Sequence, residues 1–197
     1  MFTKKLHYHD KFDDISNIIL NKAVLHAKDK KYRICEIEFY LKSKEHNDEY
    51  VHGHKDQLEF GKFYFHRYAN DTYKSGTYKG VDITLGDSKT YFGVLIRSLM
   101  DIETGEFIEG PCRSVNAIIH NFECETVKEF MEGKGHLLDI YDKKNELYLS
   151  KEKLEKQVIS KGPRIGLSNK YPDFLEKPYR HAIFLNKIKK QKKTMVV

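Results

Sequence analysis

The sequence predicts a single α+β domain in which helices pack against a curved antiparallel β-sheet that carries a protruding β-hairpin. Three observations support this fold class. First, 197 residues with 40% hydrophobic content are enough for one well-packed core and short for two. Second, several segments rich in aromatic and branched residues read as strands and are separated by turn residues. Third, helical patterns are confined to the N-terminal segment and the middle of the chain.

The first third of the chain contains a predicted helix, a strand and a loop. Apolar residues recur every three or four positions over residues 10–27, which predicts an amphipathic helix with Asp10 as its N-cap. Residues 32–41, YRICEIEFYL, alternate apolar and polar side chains and predict a strand. Residues 42–61 show no period and predict a long loop.

The remaining elements are shorter. Turn residues separate three further predicted strands at 62–68, 78–85 and 91–100. Pro111 stands where a helix begins, and a second helix is predicted at 125–131. Short strands are expected within 136–160 around a turn at 143–145, and two strand-like pieces joined by a Pro-containing loop within 162–185.

Composition indicates an intracellular protein with a polyanionic partner. No run of about 18 apolar residues is present, and Met1 to Asp10 lack the apolar stretch of a signal peptide. The net charge of +6 favours a polyanion. Part of this charge lies in KIKKQKK, residues 187–193. Three interpretations of this segment remain open: a solvated end, a nonspecific DNA contact and an import signal.

The first predicted strand carries the candidate chemistry. Glu36, Glu38 and Tyr40 share one face because strand side chains alternate. Two carboxylates on one face also fit the polar outer face of an antiparallel sheet. The strand by itself therefore does not distinguish a site from a solvated surface.

The order of six blocks along the chain resembles the alkyladenine (3-methyladenine) DNA glycosylase family, of which the chain would be a divergent member. These blocks cover roughly residues 15–185, and together they are more specific than any one of them. In order they are YRICEIEFYL followed by DEYVH, then GKFYFHR, GVDIT, GVLIRSL, EGPCRSVNAII and PRIGLSNKYPDFLEKPYRHAIF.

The resemblance implies a mechanism for releasing a base from DNA. Such an enzyme rotates a nucleotide out of the duplex and delivers water to the anomeric carbon. Glu38 would activate that water and stabilise the positive sugar, as carboxylates do in glycoside hydrolysis. Arg97 would orient the water or a phosphate oxygen. Tyr40 and His52 would supply stacking and a hydrogen bond to the base.

The sequence departs from the family pattern at the base pocket. Where the family has a second tyrosine wall, the hairpin offers Phe65 or His66. The residue that inserts into the duplex would be Tyr68 or Tyr73. Asp82 replaces an asparagine, and the hypothesis is that it shifts preference toward bases with an exocyclic donor.

Arg113 and Arg164 are the predicted DNA contacts outside the pocket. Arg113 follows Gly110 and Pro111 at a helix start, where backbone donors are free to bind a phosphate. Glu36 is expected to be structural, either facing solvent or paired with a basic residue.

The function predicted on this basis is a monofunctional, monomeric DNA glycosylase acting on alkylated or deaminated purines in damaged duplex DNA. We expect no metal, no organic cofactor and no membrane association. The glycosylase-like domain is predicted to span residues 1–186, with a basic tail at 187–197.

Two other functions remain open. A cupin-like metal enzyme is suggested by His52-x-His54 followed by Glu59, although the second half of that motif is missing. The second open function is that of a nucleic-acid-binding protein that has the glycosylase fold but no catalytic activity.

Overall fold

The computed structural model describes residues 11–196, and within them ten strands form one antiparallel sheet that does not close on itself. The strands are β1 (Ala23–Ala27), β2 (Lys30–Lys42), β3 (Phe60–Phe65), β4 (Val81–Leu85), β5 (Tyr91–Asp101), β6 (Phe107–Glu109), β7 (Leu138–Asp139), β8 (Leu147–Lys151), β9 (Ser160–Gly162) and β10 (Arg180–Ala182). Their order is β7-β3-β4-β5-β2-β1-β8; β6 pairs with β5, and β10 joins β2 to β9. The predicted α+β class is confirmed.

Four α-helices accompany the sheet in the described part of the chain: α1 (Phe12–Lys22), α2 (Pro111–His120), α3 (Val127–Met131) and α4 (Pro172–Leu175). Pro111 begins α2, as predicted, because its missing N–H is not needed in the first turn. None of the helices within residues 11–196 is both long and apolar enough to cross a membrane.

The predicted N-terminal helix is too long. It ends at Lys22, and the next five residues are β1, which pairs with β2 on one side and β8 on the other. The sequence AVLHA is completely buried and fits either structure locally, so pairing with two strands decides the outcome. Asp10, the predicted N-cap, lies outside the described residues.

The two faces of the sheet differ in chemistry. Ile37, Phe39 and Leu41 of β2 lie in the apolar core, where the Phe39 ring stacks on Phe12 of α1 with centroids 4.1 Å apart. The side chains that alternate with them form a polar face, as predicted. That polar face is buried, whereas an outer face of a sheet would be solvated.

His181 in β10 is a buried, neutral histidine. Its side chain meets the Phe39 ring edge-on at 5.0 Å, and its Nε2–H donates to the carbonyl of Pro178 at 3.2 Å. Burial lowers the pKa of His181 from 6.5 to about 4. Burial is also the main reason that the pKa of the more exposed His52 is lowered to about 4.

These histidines make stability depend on pH. Between pH 6.5 and pH 4 the unfolded chain binds protons that the folded chain rejects, so the free energy of unfolding is expected to fall as pH decreases. Urea unfolding at several pH values should show a shallower fall in His181→Leu. An unchanged slope in His181→Leu would contradict the assignment.

Candidate functional site

Glu38 lies at the centre of the polar face and is fully buried. Its Oε1 accepts the backbone N–H of Ile165 at 2.8 Å and lies 3.2 Å from Nη1 of Arg97. Its Oε2 accepts the hydroxyl of Tyr40 at 2.9 Å. Each oxygen therefore has at least one hydrogen-bond or ion-pair partner, as a buried carboxylate requires.

Arg97 and Arg180 share a second buried carboxylate, Glu36. Glu36 Oε1 lies 2.6 Å from Nε of Arg180 and 3.3 Å from Nε of Arg97, and Ser98 donates to its other oxygen at 2.5 Å. Burial lowers the pKa of Arg97, but Glu38 and Glu36 more than offset this and raise it, so Arg97 stays cationic. The prediction that Glu36 is structural and pairs with a basic residue is confirmed.

Arg164 is not available to DNA, contrary to the prediction. It is 3% exposed and makes a bidentate ion pair with Asp48, at 2.6 and 3.1 Å, in which both side chains are completely buried. Its Nη1 also donates to the carbonyl of Phe39. The pair fixes the backbone that offers the N–H of Ile165 to Glu38.

Tyr40 is the partly exposed member of the Glu38 cluster. The guanidinium of Arg164 lies over its ring at 4.5 Å. Burial of the hydroxyl, with the charge of Glu38 beside it, raises the pKa of Tyr40 well above its usual value. The hydroxyl is therefore a neutral donor to Glu38.

A second cluster on the same face surrounds His52. The hydroxyl of Tyr64 lies 2.9 Å from Nδ1 of His52 and accepts the backbone N–H of Arg67 at 3.4 Å. Because the Tyr64 oxygen already accepts, its own hydrogen is available for Nδ1 of His52. When Tyr64 is the donor, His52 carries its proton on Nε2; the lowered pKa of His52 favours the neutral ring.

Asp82 is buried and both of its oxygens have partners. His66 Nε2 lies 2.8 Å from one oxygen, and the amide of Gln57 donates to the other at 3.1 Å. Gly93 makes this arrangement possible, because a Cβ there would lie 2.3 Å from the Asp82 carboxylate. Phe65 was an incorrect candidate for the pocket wall: it packs against Phe130 in the apolar core.

The two clusters are close because of the register of the sheet. Glu38 and Asp82 pair with Leu95 from opposite sides, so all three side chains face the same way. Two strand spacings separate the backbones of Glu38 and Asp82 by roughly 10 Å. Tyr64 pairs with Asp82 and extends the row.

The candidate DNA contacts differ in availability. Tyr73 is partly buried, with its ring under the guanidinium of Arg67 at 4.4 Å and its hydroxyl bonded to the same side chain at 2.9 Å. Tyr68 is 41% exposed and lines a groove with His52 and His54. Arg113 is exposed in the first turn of α2.

The suggested metal motif does not form a ligand set. His54 contacts Asp71 at 2.7 Å and Asp56 at 3.4 Å, while His52 is engaged with Tyr64. Within residues 11–196, no group of three or more His, Cys, Asp or Glu side chains is arranged to hold a metal ion.

Several site residues were not predicted from the sequence. Tyr64 had a detectable signal, because it lies two residues before His66 within the strand predicted over residues 62–68, which predicts that both side chains share a face. Asp48, Gln57 and Arg180 had none, since they belong to loops or to a distant strand and only the fold brings them to the site.

Comparison with known proteins supplies a relative but no activity. No protein-family model matches the chain. The uncharacterized protein L759 of Acanthamoeba polyphaga mimivirus is 46% identical over 200 residues, which cover 94% of this chain and 92% of that protein. The chain therefore belongs to the same protein family as mimivirus L759.

Proposed function

We propose that the protein is a monofunctional DNA glycosylase that hydrolyses the N-glycosidic bond of alkylated or deaminated purines. One observation carries the proposal: three blocks that resemble alkyladenine glycosylases, far apart in sequence, converge on Glu38. They contribute the hydroxyl of Tyr40, the guanidinium of Arg97 and the N–H of Ile165. A solvated sheet face would not need three donors on one buried carboxylate.

In the proposed reaction Glu38 acts on water. Water approaching from the side of the partly exposed Tyr40 would meet Oε2, give its proton to the carboxylate and attack the anomeric carbon. Both electrons of the broken C–N bond leave with the purine. The charge on Glu38 also opposes the positive charge that develops on the sugar. Arg97, whose Nη1 lies 3.2 Å from Oε1, holds the Glu38 carboxylate in position.

The second cluster is suited to holding the base. In the tautomer protonated on Nε2, His52 offers a donor to an acceptor atom on the purine edge, and the partly exposed ring of Tyr40 offers a stacking surface. Both Asp82 oxygens accept hydrogen bonds from protein donors, so its influence on the exocyclic group of a base would act partly through His66.

Incubating the purified protein with duplex oligonucleotides tests the proposal. The substrates carry a 3-methyl-type, hypoxanthine or etheno-adenine base, and alkali reveals any abasic site. Alkali-dependent cleavage at the lesion supports a monofunctional glycosylase. Binding without base release on every lesion would favour the nucleic-acid-binding alternative.

Tyr68 is expected to be the residue that inserts into the duplex, because it is exposed and shares a groove with His52. Tyr68→Ala should weaken affinity for lesion-containing duplex about 5- to 100-fold, the equivalent of about 1–3 kcal/mol of stacking. Tyr141→Ala is a matched control, since Tyr141 is 39% exposed. Equal affinity of the two variants in a fluorescence-anisotropy titration would exclude this role.

A further inference from the structure

The basic C-terminal segment is folded onto the domain and is not a frayed end. Within residues 185–196, Ile188 and Met195 are 1% and 6% exposed and pack against Ala182. Val196 exchanges two backbone hydrogen bonds with Lys161, at 2.7 and 2.8 Å. The lysines between these anchors therefore project from a fixed backbone.

Buried and partly buried charges fix this backbone further. Arg180 is completely buried and donates to the carbonyls of Lys190 and Gln191 at 2.9 and 3.3 Å. Glu109 accepts the N–H groups of Lys189 and Lys190 at 3.1 and 2.8 Å. The carboxylate of Glu109 thus binds the backbone of the segment.

The side-chain cations of this segment form no ion pair with the described residues; the carboxylate of Glu109 contacts the backbone of the segment. Some lysines elsewhere do form ion pairs, such as Lys28 with Glu123 and Lys30 with Glu103. Among residues 11–196, no carboxylate lies within ion-pair distance of the exposed cations of a surface that we name the basic ridge. Its members are Arg113, Lys187, Lys189, Lys190, Lys192 and Lys193.

We propose that the basic ridge binds the phosphate backbone of duplex DNA. Arg113, Lys187, Lys189 and Lys192 line one groove of about 620 Å³, which places four cations around a space large enough for phosphate groups. Glu109 also lines this groove, and its carboxylate accepts the backbone N–H groups of Lys189 and Lys190. The backbone that carries these lysines is already fixed, so it need not rearrange to bind a polyanion. DNA binding would therefore release counterions from the phosphates with only a small entropic cost of ordering the segment.

The position of the ridge connects it with the proposed glycosylase site. Arg180, which holds the ridge, pairs with Glu36, and Glu36 pairs with Arg97 beside Glu38. The ridge and Glu38 are therefore attached to the same part of the sheet, and the duplex would be held beside the site. This placement rests on the proposed function, whereas phosphate binding itself does not.

The apolar residues of the segment favour DNA over a lipid surface. Ile188 and Met195 face the domain, whereas a membrane-binding segment turns its apolar side chains outward. An anionic membrane is therefore treated as an outcome of the test.

The test compares two triple variants that lose the same charge. Lys189→Ala/Lys190→Ala/Lys192→Ala removes half of the ridge, and Lys151→Ala/Lys153→Ala/Lys156→Ala removes three exposed lysines elsewhere that alternate with glutamates. Anisotropy titrations with undamaged duplex are repeated between about 50 and 200 mM salt. The ridge variant should lower the magnitude of the log–log salt slope by about 2–3, at about 0.9 per lost phosphate contact. The control should stay near the wild-type slope.

Equal slopes for the two variants would overturn the proposal. The proposal would also be overturned if the wild-type protein bound phosphatidylserine-containing vesicles in preference to duplex DNA and the ridge variant lost this vesicle binding. Because the DNA is undamaged, the result is independent of base release. A ridge effect without excision would refute the glycosylase alone, and excision without a ridge effect would refute the ridge alone. All ridge lysines are exposed, so thermal unfolding should be unchanged.

Discussion

Glu38→Gln is expected to abolish base release while leaving DNA affinity unchanged. The amide has the same shape as the carboxylate, and its oxygen can face the two donors on the Oε1 side, Ile165 and Arg97. Its NH₂ group would then face Tyr40, whose hydroxyl can rotate and accept. The fold is retained, but the base for the water is lost. We expect release to fall about 10²- to 10⁴-fold.

Alkali-revealed cleavage measures this loss, with Glu123→Gln as the control. Glu123 has a side chain that is 85% exposed, and the control makes the same change of charge at the surface. Wild-type rates in Glu38→Gln would contradict the role of Glu38 even if the protein proved to be a glycosylase. Reduced DNA binding in Glu38→Gln would show that the variant disturbs more than the chemistry.

Asp48→Asn is expected to produce the largest loss of stability. The variant leaves the Arg164 guanidinium charged in a site where both partners are completely buried. The Nε of Arg164 already has no hydrogen-bond partner, so the local structure offers little compensation. Breaking a buried pair in this way typically costs about 3–5 kcal/mol of unfolding free energy. Because the pair also fixes the segment that holds Glu38, base release should fall as well.

Urea unfolding tests this expectation against a solvated pair. Glu123→Gln, which breaks the exposed pair with Lys28, should cost far less unfolding free energy than Asp48→Asn, because solvent screens an exposed pair. The double variant Asp48→Leu/Arg164→Leu should recover stability relative to Asp48→Asn, because it removes both buried charges. Similar free energies for Asp48→Asn and Glu123→Gln would contradict the importance of the buried pair.

Local patterns predicted much of the fold. The alternation over residues 32–41 predicted Glu36, Glu38 and Tyr40 on one face, because successive side chains of a strand point in opposite directions. The register of β2 against β5 shifts on both sides of Glu36, but the side chains stay together: Arg97 contacts both carboxylates and Tyr40 donates to Glu38. Pro111 marks the start of α2 for an equally local reason. The short β6 went unpredicted, since three residues are too few to establish a period.

Other features were decided only by the tertiary structure. Residues 23–27 are a strand because two neighbours pair with them, although their apolar pattern also continues the helix. Phe65 and His66 are adjacent, and only the folded structure shows that Phe65, the last residue of β3, packs in the core while His66, the next residue, contacts Asp82.

The sequence by itself determined which side chains share a face with Glu38, because that depends only on the alternation of one strand. It did not determine that this face is buried, or that Arg164 forms an ion pair with Asp48 and is not available to DNA. It also did not determine that the C-terminal lysines lie on a fixed backbone. Those features depend on contacts between residues more than 100 positions apart, as between Asp48 and Arg164, or on packing of whole segments. Burial and ion pairing are properties of such long-range contacts, which residue spacing does not encode.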